Sequence, residues 1–111
     1  MNKNNFVAIN YITSDAAYIE RFEYLFSTRA HAIDKIEGFL YMEVLKPTDP
    51  NDNTYLIVSH WENEESFKLW SKSPQFLEGH KRGFDDIKQA KQSGGHPPVT
   101  SDFKTYKVFT E

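Results

Sequence analysis

The chain contains no cysteine. That absence excludes disulfides, thiolate metal sites and cysteine nucleophiles together. No apolar run approaches the roughly 20 residues of a membrane-spanning helix, so a membrane is not expected as a partner. The opening residues, Met1-Asn2-Lys3-Asn4-Asn5, lead into a strand-like stretch without a signal-peptide apolar region, and a cytoplasmic location is the expectation. An excess of positive charge is also lacking. The formal net charge is −3 and the isoelectric point about 5.8, which argues against general nucleic-acid binding. Residues 1–80 carry 7 Lys/Arg against 12 Asp/Glu, and residues 81–111 carry 6 against 4. The basic balance near Lys81 and Arg82 is either ordinary charged surface or a rim for an anionic ligand. The chain has no G-x-G-x-x-G, no P-loop, no G-x-S-x-G and no H-E-x-x-H.

Aromatic residues are what it has in excess. Nine Phe, six Tyr and two Trp make 15% of 111 residues, and Phe outnumbers Leu. The length suits one domain over residues 1–111. A domain of this size buries only roughly 60–70% of its unfolded surface, and each aromatic can bury about 150–250 Å². The rings therefore serve to fill a small core, or some of them line a flat ligand's pocket or a subunit interface.

The pattern along the chain alternates between strands and helices. Phe6 to Thr13 alternates in the manner of a strand, with Phe6, Ala8, Asn10 and Ile12 on one face and Val7, Ile9 and Tyr11 on the other. Ser14 suits an N-cap, with Asp15 in the first turn of a helix. Ile19, Phe22, Phe26, Ala30 and Ile33 then form one apolar stripe. Gly38 breaks it. Phe39 to Lys46 and Thr54 to Trp61 are expected strands, joined by a turn over residues 47–53. Asn63 caps a short helix, and Ser73-Pro74 starts a longer one carrying Phe76, His80 and Phe84 at every fourth position. Residues 93–98 form a loop before a last strand, Phe103 to Thr110. The order βαββαβ predicts an α+β fold, a ferredoxin-like sandwich. Its sheet is apolar on both faces while the helices cover one, so two protomers are expected to pair their sheets as a homodimer.

Three residues invite chemistry. Asn10 lies on the strand face that meets the helices. It is either hydrogen-bonded to backbone at a strand end or a polar group held inside a pocket. His80 shares a helix face with Phe76 and Phe84, as a satisfied core group or a ligand through one ring nitrogen. It has no partner with metal-ligand spacing, so a multi-residue zinc or non-haem iron site is not expected. A single protein ligand suffices for haem, whose porphyrin supplies four nitrogens. Trp70 and Trp61 both suit a core. His31, His60 and His96 are weaker candidates.

Asn10 and the stretch from Trp61 through Phe67, Trp70, Ser73 and Phe76 to His80 resemble the IsdG-type haem-degrading monooxygenases. These belong to the antibiotic-biosynthesis-monooxygenase superfamily of dimeric α+β barrels. Glu37-Gly38-Phe39 is similar to that family's turn before strand two, whereas residues 91–100 depart from its pattern. The resemblance implies haem as substrate and cofactor, His80 as proximal ligand to the iron, and Asn10 as amide donor on the opposite side. It implies that Trp70 presses the porphyrin out of plane, favouring oxygen attack on a meso carbon. It further implies O2 and an external electron donor, a reductase, because no flavin or nicotinamide motif is present. Phe22, Phe26, Phe76 and Phe84 are candidate walls. Lys81 and Arg82 are candidates for the propionates on charge alone. The competing expectations are a cofactor-independent monooxygenase acting on an aromatic or quinol substrate, a haem-binding protein without turnover, and a structural dimeric barrel.

Overall fold

The structure, a computed structural model, describes residues 5–111; the expectation drawn from the opening residues falls largely on 1–4, outside the described residues. In chain order the elements are β1 (Phe6–Ser14), α1 (Ile19–Ser27), β2 (Phe39–Leu45), β3 (Thr54–Trp61), α2 (Glu64–Ser71), α3 (Pro74–Gln92) and β4 (Val99–Lys107). The four strands form one antiparallel sheet in the order β2-β3-β1-β4. This is the ferredoxin-like α+β arrangement that the alternating pattern predicts. Asn63 and Ser73 cap their helices as expected. Asn63 Oδ1 accepts the Ser66 amide at 2.9 Å, and Ser73 Oγ accepts the Phe76 amide at 3.2 Å.

Register sets the two faces. Asn10 stands opposite Ile57 on one side and Phe103 on the other, and Ala8 stands opposite Ser59 and Thr105. These positions face the helices. A bulge between Phe39 and Tyr41 shifts β2 by one residue, so Phe39 and Met42 both pack toward the helix-side core. That core joins Phe6, Ala8, Ile33, Trp61 and Trp70. Trp61 is fully buried, and its Nε1–H donates to Ser59 Oγ at 2.9 Å. Gly38 turns the chain into β2 at φ +87, and a Cβ there would stand 1.9 Å from Ser66 Oγ. Only glycine permits that approach of β2 to α2.

Three sequence expectations are corrected. Ser14 is the buried last residue of β1, pairs with Val99, and donates its hydroxyl to Asp15 O instead of capping a helix. The first helix does not run on to Ile33. It stops at Ser27, where the Ser27 and Thr28 hydroxyls both donate to Tyr24 O, at 3.0 and 2.7 Å. Such side-chain bonds compete with helix continuation. His31 then adopts the left-handed conformation and starts a 3-10 turn, Ala32–Lys35, that buries Ala32 and Ile33. The last strand begins at Val99 and ends at Lys107, because pairing along the whole of β1 overrides the weak strand propensity of Ser101 and Asp102.

Polar fasteners hold α1 in place. Tyr18 and Arg21 both donate to Asp86 on α3, and Tyr55 and Lys46 both reach Glu23. The Arg21 guanidinium, and then the Tyr18 hydroxyl, hold the Asp86 carboxyl below its usual range. Burial, reinforced by those carboxylates, pushes Tyr18 and Tyr55 each up to about 12. Glu23 is lowered, first by Lys46 and then by Tyr55.

Candidate active site

Between the sheet and the helices lies a cavity of about 510 Å³. That volume falls inside the range of small-molecule sites, about 300–1,000 Å³. Its floor is the helix-facing side of the sheet, with Ala8, Asn10 and Ile12 of β1 beside Ile57, Ser59, Met42 and Phe103. Its walls include Phe26 of α1, Phe67 and Trp70 of α2, and Phe76 and His80 of α3. Arg29, Ala30 and His31 line it from the segment after α1. The surface is thus apolar and aromatic, with few polar groups.

Asn10 is one of those groups. It sits in mid-strand, and neither end of its carboxamide makes a side-chain hydrogen bond among the described residues. Oδ1 is buried and without a partner. A buried amide left in this way costs about 1–3 kcal/mol. Backbone satisfaction at a strand end, the bland expectation for Asn10, is therefore not what the structure has. The unpaired group lies at the floor of the cavity.

His80 has a different problem solved. Its Nδ1 lies 2.7 Å from Phe76 O. A carbonyl can only accept, so Nδ1 carries the hydrogen and a neutral ring keeps its lone pair on Nε2. Metal-ligating histidines share this device, in which one ring N–H is anchored and the other nitrogen is turned to the metal. The ring is held by stacking, 4.1 Å from Phe76 at 27° and 5.4 Å from Phe84 at 23°. Trp70 is buried, lies edge-on to Phe76 at 5.3 Å, and stands 6.0 Å from the His80 ring. Among the described residues, no three His, Asp or Glu converge to hold a bare metal ion. A metal bound at His80 must then bring its other ligands, as haem iron does.

The structure gathers Asn10, Trp70, His80, Phe26 and Phe76 in one cavity and leaves out the other sequence candidates. Phe22 is buried behind the wall, against Phe26 at 5.0 Å and Tyr55 at 4.8 Å. Phe84 is 46% exposed and braces His80 from outside. Lys81 pairs with Asp85 at 2.9 Å. Arg82 donates to Thr28 Oγ1, Thr28 O and Leu25 O, so its charge satisfies the end of α1. Residues missed by the sequence reading as cavity walls are Phe67 and Phe103, stacked at 5.7 Å, and the cation Arg29, while His31, ranked there as a weaker candidate, lines the cavity too. The available signal for the cations was their position on either side of Ala30, a residue of the apolar stripe.

Residues 5–82 match the antibiotic biosynthesis monooxygenase family. The chain belongs to that family. Within it, a mycobilin-producing heme oxygenase of Mycobacterium tuberculosis is 37% identical over 68 residues, 61% of this chain. The aligned part spans 64% of that relative's length. A staphylobilin-producing heme oxygenase of Staphylococcus haemolyticus is 36% identical over 76 residues, 68% of this chain and 72% of that relative. Among solved structures of the fold, a heme-degrader from M. tuberculosis with two hemes bound in its active site superposes with a TM-score of 0.67. It is 28% identical and covers 96% of this chain and 97% of its own. No helix among the described residues is long and apolar enough to cross a membrane.

Proposed function

We propose that this family member is a haem-degrading monooxygenase whose cavity takes haem as substrate. The observation that carries the reading is His80, anchored through Nδ1–H to Phe76 O in the wall of an aromatic cavity that also holds the unpaired Asn10 amide. The residues fit the group. Apolar rings would accept a flat macrocycle, a single imidazole would supply one ligand to its iron, and the Asn10 carboxamide, its Oδ1 unpaired, lies on the floor. The named activities of the heme-degrading relatives support the same choice.

Bound there, haem supplies both the oxygen-activating iron and the ring that is oxidised. The protein's own part is positional. His80 would hold the iron through Nε2, its other nitrogen being committed to Phe76 O. Asn10 would offer its amide N–H where charge develops during reaction, a place where one oriented donor matters most. Trp70, confined by Phe76, would pack against the bound macrocycle and restrict how it lies, a lever by which proteins tune haem. The walls exclude water from the reacting face. Opening at a meso carbon, with loss of iron, is the outcome we assign, with O2 and electrons from an external reductase. A second copy of the chain is assigned to the open face of the sheet, where Val7, Ile9 and Val58 lie beside the exposed Tyr41, Leu45 and Tyr106.

The reading is tested by loading the protein with hemin, then adding ascorbate in air with an iron chelator present. The expected result is loss of the Soret band with chelatable iron appearing in step. A stable Soret band under reductant reduces the protein to a haem binder.

A further inference from the structure

The solvent edge of the cavity holds a charge cluster to which the haem reading gives no role. Arg29 and His31 line the cavity, and one carboxylate outside its lining, Asp34, reaches both. His31 Nδ1–H donates to Asp34 Oδ2 at 3.1 Å, and Arg29 Nη1 lies 3.6 Å from Asp34 Oδ1. All three side chains retain access to water: Arg29 is 25% exposed, Asp34 46% and His31 61%.

Backbone strain holds this cluster in place. His31 has φ 58 and ψ 25, the one non-glycine residue with positive φ among the described residues. Such a conformation is costly for a residue with a Cβ and persists where the surroundings fix it. Two fixings are visible. Downstream, the Asp34 amide donates to His31 O at 3.1 Å, and Ala32 and Ile33 are buried. Upstream, Arg82 grips Leu25 O and Thr28 O at 3.0 Å each. The strained turn therefore presents two cationic or hydrogen-bonding side chains at one edge of the largely apolar cavity.

A guanidinium fork beside an imidazole at such an edge recognises a carboxylate carried on the rim of a planar ligand. Asp34 already provides a carboxylate to the same two donors. Ion pairs of this length between partly exposed groups are weak and readily exchanged. We propose that Asp34 is a resident competitor for the ligand's carboxylates, holding Arg29 and His31 in the free protein and retaking them on release. This rests on the haem reading, and it makes Asp34 a positioning residue that sets affinity for acidic ligands and their rate of departure. Asp34 weakens binding of a dicarboxylate porphyrin and leaves a neutral porphyrin unaffected.

Metal-free protoporphyrin IX and its dimethyl ester are the probes, with quenching of tryptophan fluorescence as readout and stopped-flow dilution for release. Asp34→Asn is expected to tighten the diacid roughly two- to fivefold, the reach of one exposed ion pair, and to slow its release in proportion. The ester is expected to bind both proteins alike. Asp34→Ala should act in the same direction, and Arg29→Ala should weaken the diacid alone. Diacid affinity that is unchanged or weaker in both Asp34 variants overturns the inference, as does an equal shift for the ester. If the wild-type protein binds the diacid but the Asp34 variants match it, only this inference falls. Hemin is titrated alongside: if the wild-type protein binds hemin but neither probe, only this inference falls, and if it binds none of the three, the haem reading falls and takes the inference with it.

Discussion

The two faces of one sheet are built from alternate residues of the same strands, yet they serve different ends. On the helix side Ala8, Asn10 and Ile12 floor a concave cavity with aromatic walls. On the other side Val7, Ile9 and Tyr11 lie beside Leu56, Val58 and His60 on a surface without helices. Side chains there satisfy one another. Tyr11 and Tyr106 share a hydroxyl hydrogen bond of 3.0 Å, and Tyr41 stacks on His60 at 4.1 Å and 12°. Each face keeps one orphan, Asn10 Oδ1 within the cavity and His60 Nε2 on the open side, 4.0 Å from Glu43 Oε1. Concavity decides what an orphan can meet. A walled floor admits a small ligand, whereas an open apolar face suits another sheet.

Substitutions on the two faces should separate these roles. The largest effect is expected from His80→Ala, which should weaken ferric haem binding at least about a hundredfold in an absorbance titration, since it removes the imidazole assigned to the iron. Asn10→Ala should leave haem affinity within about threefold while slowing degradation about a hundredfold, the usual cost of one oriented donor. Degradation at the wild-type rate would remove the role given to Asn10. On the open face, Ile9→Lys should leave the circular dichroism spectrum intact and shift sedimentation toward monomer, because a buried unpaired charge opposes sheet-to-sheet packing. A dimer of undiminished affinity would contradict the face assignment.

The smallest effect lies away from both faces, at Asp86. Its carboxyl is lowered by Arg21 and Tyr18, so the stability it contributes is present above the unfolded carboxylate range and lost as pH falls through its lower folded value. Asp86→Asn should lower Tm by about 2–6 °C at pH 7, and the difference should shrink below about pH 4. A constant difference across that window would show that the loss is packing rather than charge.

The two faces also differ in how legible they were. Period-two alternation placed Asn10 on the helix side and Tyr11 opposite, and period-four spacing put Phe76, His80 and Phe84 on one face of α3. Those patterns are local, and the structure keeps them. The cavity's edge was not legible, because it depends on contacts distant in sequence. The end of α1 is set by the Ser27 and Thr28 hydroxyls and by Arg82 from another helix. Arg29 and His31 reach the cavity only after that stop and the left-handed turn at His31. Lys81 and Arg82 illustrate the converse. Their charge is plain in the sequence, but charge does not name a partner, and Asp85 and the α1 carbonyls claim them. Phe22 followed the stripe correctly and lies one layer too deep.

The central claim is that His80 Nε2 in this cavity is the protein's ligand to haem iron. A hemin titration of the wild-type protein beside His80→Ala and Phe84→Ala tests it most directly. The wild type is expected to give a saturating Soret shift, Phe84→Ala, which loses only a brace, a retained but weaker one, and His80→Ala none of the same position. An identical Soret shift in the wild type and His80→Ala, or no shift in the wild type, would contradict it.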